Sequence, residues 1–179
     1  MILLDPDLDP DPAPPSKAVK RSSAPAKSAN SRLPTARTLV RFLTEAQAAV
    51  RLRGQVSVLL ASDETIRSLN RRFRGKNKAT DVLSFPADTA APGPEEIAGD
   101  LAISVPTARR QAAEQGHSLS TEIKVLLLHG LLHLAGYDHE ADAGQMARRE
   151  RLLRGRLGLP QGLIERSATP KSAAKVRRP

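Results

Sequence analysis

The chain has no cysteine and no tryptophan, and aromatic residues make up only 2% of its 179 positions. Without cysteine, disulfides and thiolate metal sites are both excluded, so any metal has to be held by His, Asp or Glu, and a reducing compartment suits the chain. Scarce aromatics leave Leu, Val, Ile and Ala to build the core, which an apolar fraction of 40% allows. No stretch approaches the roughly 20 apolar residues that span a bilayer. After Met1, Ile2, Leu3 and Leu4 the N-terminus turns to Asp and Pro, with neither the basic region nor the apolar run of a signal peptide. These absences predict a soluble, cytoplasmic protein with no membrane partner.

What is present is positive charge. Of the net +9, residues 1–37 carry +2 and residues 165–179 carry +4, which leaves +3 for the middle of the chain. The cations there are concentrated in Arg67, Arg71, Arg72, Arg74, Lys76 and Lys78. Two readings fit so dense a patch, an anionic partner such as nucleic acid or a solvated helix face.

Residues 1–36 are rich in Pro, Ala, Ser, Asp and Lys without an apolar period, so they are expected to be disordered, as is the basic tail 165–179. One domain is expected over 37–164. Within it, Thr38 to Arg53 places Leu39, Val40, Leu43, Ala46 and Val50 at helical spacing, with Gly54 as C-cap. Gln55 to Ala61 reads as a strand. Ser62 opens a helix to Phe73 with Ile66, Leu69 and Phe73 inward. Val82 to Phe85 and Gly99 to Val105 read as two more strands, and Pro106 leads a helix that ends near Gly116. Ser120 to Ala135 is apolar nearly all round and is expected to be a buried central helix. Arg148 to Leu157 is amphipathic, with Leu152, Leu153 and Leu157 inward. The predicted fold class is α+β, a small mixed β-sheet packed with several helices around the central apolar helix.

That central helix carries the chemistry. His129 and His133 lie four residues apart, so their imidazoles project from one face and can reach one ion at about 2.0–2.1 Å. Gly136 can take positive φ without strain, which lets the chain reverse over Tyr137 and Asp138 and return His139 to the same point. Three neutral nitrogens and a water make the open site of a catalytic zinc, although three histidines also suit nickel, copper or cobalt. Buried histidines that merely find hydrogen-bond partners are the competing explanation, and this spacing favours the metal. The register matches the zinc-protease pattern His-Glu-x-x-His-x-x-Gly-x-x-His except that Gly130 replaces the glutamate general base. Gly130 weakens the helix by about 1 kcal/mol relative to Ala, so propensity does not explain it. A peptidase lacking that base would be poor, whereas zinc alone can bring the pKa of a bound water to about 7.

The segment from His129 to His139 resembles the YbeY family of bacterial endoribonucleases and ribosomal RNA maturation factors. Leu69 to Pro86 is similar to the family's LNxxYRxKdxPTDVLSFP stretch, and Gly99 to Ser104 to its GDIxIS strand. The resemblance covers roughly Leu39 to Leu159. Phe73 stands where the family has tyrosine and Ala79 where it has proline; neither is a candidate ligand. The resemblance implies one zinc ion on His129, His133 and His139, with Arg74 as a functional arginine beside it. It implies a single-strand-specific, metal-dependent endoribonuclease acting in ribosomal RNA processing and ribosome quality control. Its implied partners are RNA precursors, the small ribosomal subunit, an Era-type GTPase and ribosomal proteins. Physics agrees with the arginine: phosphodiester cleavage builds charge on non-bridging oxygens, and a guanidinium can meet two of them. Arg74 could equally be a helix-end cation pairing with a carboxylate or carbonyl. Asp138 either orients a ligand imidazole or caps the turn. His117 reads as a surface residue.

Phe42, Phe73 and Phe85 look like core, so RNA recognition is expected to rest on phosphate contacts and shape, with strong salt dependence and little sequence preference. Two other functions compete. One is a ribosome-assembly binding factor with a mainly structural zinc, supported by the basic patch and tails. The other is a metallopeptidase-like zinc hydrolase, against which Gly130 counts.

Overall fold

A computed structural model describes residues 1–8, 31–87, 96–138 and 142–161. Among them, a four-stranded mixed sheet is packed with five helices. Strand β1 (Ile2–Leu4) leads to helix α1 (Ala36–Val50), strand β2 (Gln55–Ala61) and helix α2 (Asp63–Arg74). Strands β3 (Val82–Pro86) and β4 (Ile97–Ser104) follow, then helices α3 (Val105–Gln115), α4 (Leu119–Leu134) and α5 (Gln145–Arg156). The sheet order is β1-β2-β4-β3; β1 and β4 run parallel to β2, and β3 runs antiparallel to β4 at one edge.

The period-2 pattern of the strands sorts their side chains between two faces. Val56, Val58, Leu60, Leu101 and Ile103 join the main core with α1 and α4. Leu59, Ala61, Leu83 and Ala102 face the other way, against Ile66 and Leu69 of α2. Helix α4 is buried along its length, as its composition requires, with Leu126, Leu127, Leu128, Leu131 and Leu132 all at 1% exposure or less. The first four helices each begin at a Ser or Thr whose hydroxyl accepts from the N–H three residues on: Thr35, Ser62, Ser104 and Ser118. Helix α5 is capped from further back. Asp142 accepts from the N–H groups of Gly144, Gln145 and Met146 at 2.7–2.9 Å.

Several expectations are corrected. Residues 2–4 were expected to be disordered with the rest of 1–36, yet they pair in register with Val58, Leu59 and Leu60. Three apolar residues are too few to show a period, and the β2 edge supplies what they lack alone. The buried Asp5 extends this stitch by accepting from the Ser62 N–H at 3.3 Å. Helix α1 ends at Arg51 in the left-handed conformation (φ 68°), before Gly54. Phe73 is 56% exposed rather than inward, with the Phe85 ring edge-on to it and the Arg72 guanidinium 5.2 Å from its ring centre. Leu152, expected to face inward, is 53% exposed. His117 is not a free surface residue: its Nε2 bonds the carboxylate of Glu122, which is fully buried and needs a partner. No described helix is long and apolar enough to cross a membrane.

Candidate functional site

Helix α4 runs beneath the edge strand β3, and the loop after α2 passes above that edge. Between them lies a cleft of about 710 Å³. Its wall on the helix side carries His129, His133, Tyr137 and Asp138, and its wall on the loop side carries Arg74, Lys76 and Lys78. Residues 55 positions apart in the chain, Arg74 and His129, therefore face one space.

The two histidines are half-buried and converge. Their Nε2 atoms stand 3.2 Å apart, with the rings edge to face. Two nitrogens each about 2.0–2.1 Å from a tetrahedral ion would be about 3.3 Å apart, so this spacing fits a zinc-sized ion. Glu150 of α5 adds a second observation. Its Oε2 accepts from Nδ1 of His129 at 3.0 Å, the outer hydrogen bond that metal-bound histidines commonly make. Burial pushes Glu150 up, but the hydrogen bond from His129 and the Arg154 guanidinium hold its carboxyl below the ordinary value. Arg154, also buried, donates to the other oxygen of Glu150 and to the Pro160 carbonyl.

The end of α4 is built to turn the chain back. Gly136 has φ 87°, its N–H bonds the carbonyl of His133, and the Tyr137 N–H bonds that of Leu132. The positive φ at Gly136 is the one that the sequence predicts. His139 itself lies outside the described residues, and among those described no set of three His, Asp or Glu side chains converges as a metal site.

The basic loop is held from beneath. Asn70, buried near the end of α2, donates from Nδ2 to the Lys78 carbonyl at 2.8 Å, and Gly75 ends the helix at φ 68°. Asp81 closes the loop onto the sheet: Oδ1 accepts from the Val82 N–H at 2.9 Å and Oδ2 from Gln111 at 3.0 Å. Arg74 is exposed at the helix C-terminus and lines the cleft.

Gly130 is explained by packing. A Cβ there would stand 2.8 Å from Leu101 Cδ2 and 3.3 Å from Ser84 Oγ, so this side of α4 lies directly on the sheet. The residue that serves proteases as a base has no room here.

Sequence reasoning singled out His129, His133 and Arg74, and all three line one cleft. It missed Glu150, Arg154 and Asn70. For the first two, the only available signal is a carboxylate and a guanidinium at i, i+4 on the inward stripe of a helix.

Comparison with known proteins places the chain. The family model described as "Endoribonuclease YbeY" matches residues 21–158. A protein of that name from Koribacter versatilis is 54% identical over 138 residues, covering 76% of this chain and 88% of its own. One from Solibacter usitatus is 51% identical over 126 residues, covering 70% and 82%. The solution structure of TM1509 from Thermotoga maritima aligns with 81% of this chain and 96% of its own at 25% identity, with a TM-score of 0.48. By the family-model match and the identity to the two relatives, the chain belongs to the YbeY family.

Proposed function

We propose that this protein is a zinc-dependent endoribonuclease that cleaves single-stranded RNA during the maturation and quality control of ribosomal RNA. One observation carries the reading: converging histidine nitrogens and three cations share a single cleft. The relatives' shared name, an endoribonuclease, supports the same conclusion.

His129 and His133 would hold the ion, with His139 as the third ligand that the family motif supplies. When bound, zinc polarises a phosphoryl oxygen or acidifies a water. The chain's own part is positioning and charge. Arg74 meets the non-bridging oxygens, where negative charge grows in the transition state, and its planar fork can contact two of them. Lys76 and Lys78 draw the flanking phosphates into the cleft. Asn70 keeps their loop in place by holding the Lys78 carbonyl. The steric closure at Gly130 counts against a peptidase.

The natural substrate in this reading is a ribosomal RNA precursor on or near the small subunit, in the cytoplasm. Ribosomal proteins and an Era-type GTPase would supply the site selection that the cleft's general phosphate contacts lack. The test is cleavage of a single-stranded RNA by wild type, His133→Ala and Arg74→Glu, with folding followed by circular dichroism. Both substitutions should abolish cleavage with the fold intact. Equal cleavage by all three proteins would assign the activity to a contaminant and favour a binding factor.

A further inference from the structure

Glu150 sits where α5 would ordinarily place an apolar side chain. Met146 and Leu153, its neighbours on the inward stripe, are fully buried, and Glu150 itself is 1% exposed. Replacing a buried ion pair such as Glu150–Arg154 with apolar residues is often neutral or stabilising, so stability alone does not account for it. Its geometry is specific. One oxygen is fixed by Arg154, which the Pro160 carbonyl anchors in turn, and the other faces Nδ1 of His129 at 3.0 Å.

We infer that Glu150 is a positioning residue, holding the proton of His129 on Nδ1 so that the Nε2 lone pair points into the cleft. The inference rests on reading His129 and His133 as metal ligands. A neutral imidazole carries one N–H, and the hydrogen bond made by one nitrogen decides which electron pair the other offers. With the proton on Nδ1, the donor atom is the Nε2 that lies 3.2 Å from Nε2 of His133. The carboxylate also fixes the ring's rotation and makes the imidazole a stronger donor. Arg154 completes the arrangement by denying Glu150 another rotamer. The site thus extends from α4 into α5, a helix that lines no part of the cleft.

Two double variants separate this role from simple packing. Glu150→Gln with Arg154→Met and Glu150→Leu with Arg154→Met both remove the buried charges, but only the first leaves an oxygen for the Nδ1 proton. Untagged full-length protein is titrated with Zn²⁺ against a chromophoric chelator, and the side-chain nitrogens of metal-free His129 are read by ¹⁵N NMR. The glutamine protein should keep the Nδ1–H tautomer and bind close to wild type. The leucine protein should lose that tautomer and bind about 10–100-fold more weakly. Equal affinity and equal tautomer in the two folded variants would overturn the inference. So would an Nε2–H tautomer at His129 in the wild type, whether or not any variant folds. His133→Ala is the control for the metal reading. If wild type binds Zn²⁺ no more tightly than His133→Ala, that reading fails and this inference falls with it; if only the leucine effect is missing, the metal site stands without Glu150.

Discussion

At position 130, helix propensity and packing make opposite predictions. Alanine should favour a helix interior by about 1 kcal/mol over glycine. Its Cβ, however, would press on Leu101, whose side chain is fully buried and has little room to yield. Overpacking of that kind costs about 1–3 kcal/mol. Gly130→Ala should therefore lower stability by about 1 kcal/mol net, measured by urea unfolding with an unchanged m-value. A stabilised variant would show that the contact with the sheet is looser than described. Gly130→Glu should be worse still and gain no peptidase activity, because the carboxylate would be driven into the sheet rather than the cleft. Glu150 offers the complementary case. Truncating it to alanine leaves the buried Arg154 charge without its carboxylate, which typically costs about 3–5 kcal/mol, and thermal unfolding should report a loss of that size. Removing both charges together should cost far less.

Between elements, polar ties join helix starts to the sheet. Asp63, the first residue of α2, accepts from Ser104, from the Thr107 hydroxyl at 2.9 Å and from Arg110 at 3.1 Å. One carboxylate thus joins the start of α2 to the end of β4 and the first turn of α3. Partial burial raises its pKa, but those hydrogen bonds and the Arg110 charge outweigh it and hold the value below 3.8. A depressed carboxylate stabilises the fold at pH above its unfolded value, and the contribution is lost as pH falls through the folded one. Wild type should therefore exceed Asp63→Asn in stability near neutrality, and the gap should close in acid, between about pH 5 and the folded pKa. A constant gap down to pH 2 would mean that shape, not charge, sets Asp63's contribution. The same ties explain what the sequence disclosed. Helix α4, the cap at Ser62 and the positive φ at Gly136 were legible because each is a local signal. On helix α5 the sequence reading placed Leu153 and Leu157 inward correctly but added Leu152, because the inward face also takes Met146 and the charged Glu150 and Arg154. A reading by hydrophobicity passes over those two charges and widens the apolar face to Leu152. Glu150 was invisible for the same reason, since only the approach of His129 makes a buried glutamate sensible. Strand β1 depends on pairing with a segment more than 50 residues away, which no local window contains.

Across the whole molecule, charge is distributed by place rather than by total. Most of the +9 belongs to the terminal segments, while Arg74, Lys76 and Lys78 stand together on one wall of the cleft. If these three meet RNA phosphates, each contact should release condensed counterions, contributing about 0.7 to the slope of log affinity against log salt for a single strand. Replacing all three with glutamine should flatten that slope by about 2, weakening binding at low salt far more than at high salt. Binding would be followed by fluorescence anisotropy of a labelled oligonucleotide between about 50 and 200 mM salt. Removing only the C-terminal basic residues from 166 onward should lower affinity without reducing cleavage of bound RNA, because they add general phosphate attraction but include neither the proposed ligands nor Arg74. A slope unchanged by the triple substitution would move the RNA path away from the β3 edge, and with it the proposed role of Arg74.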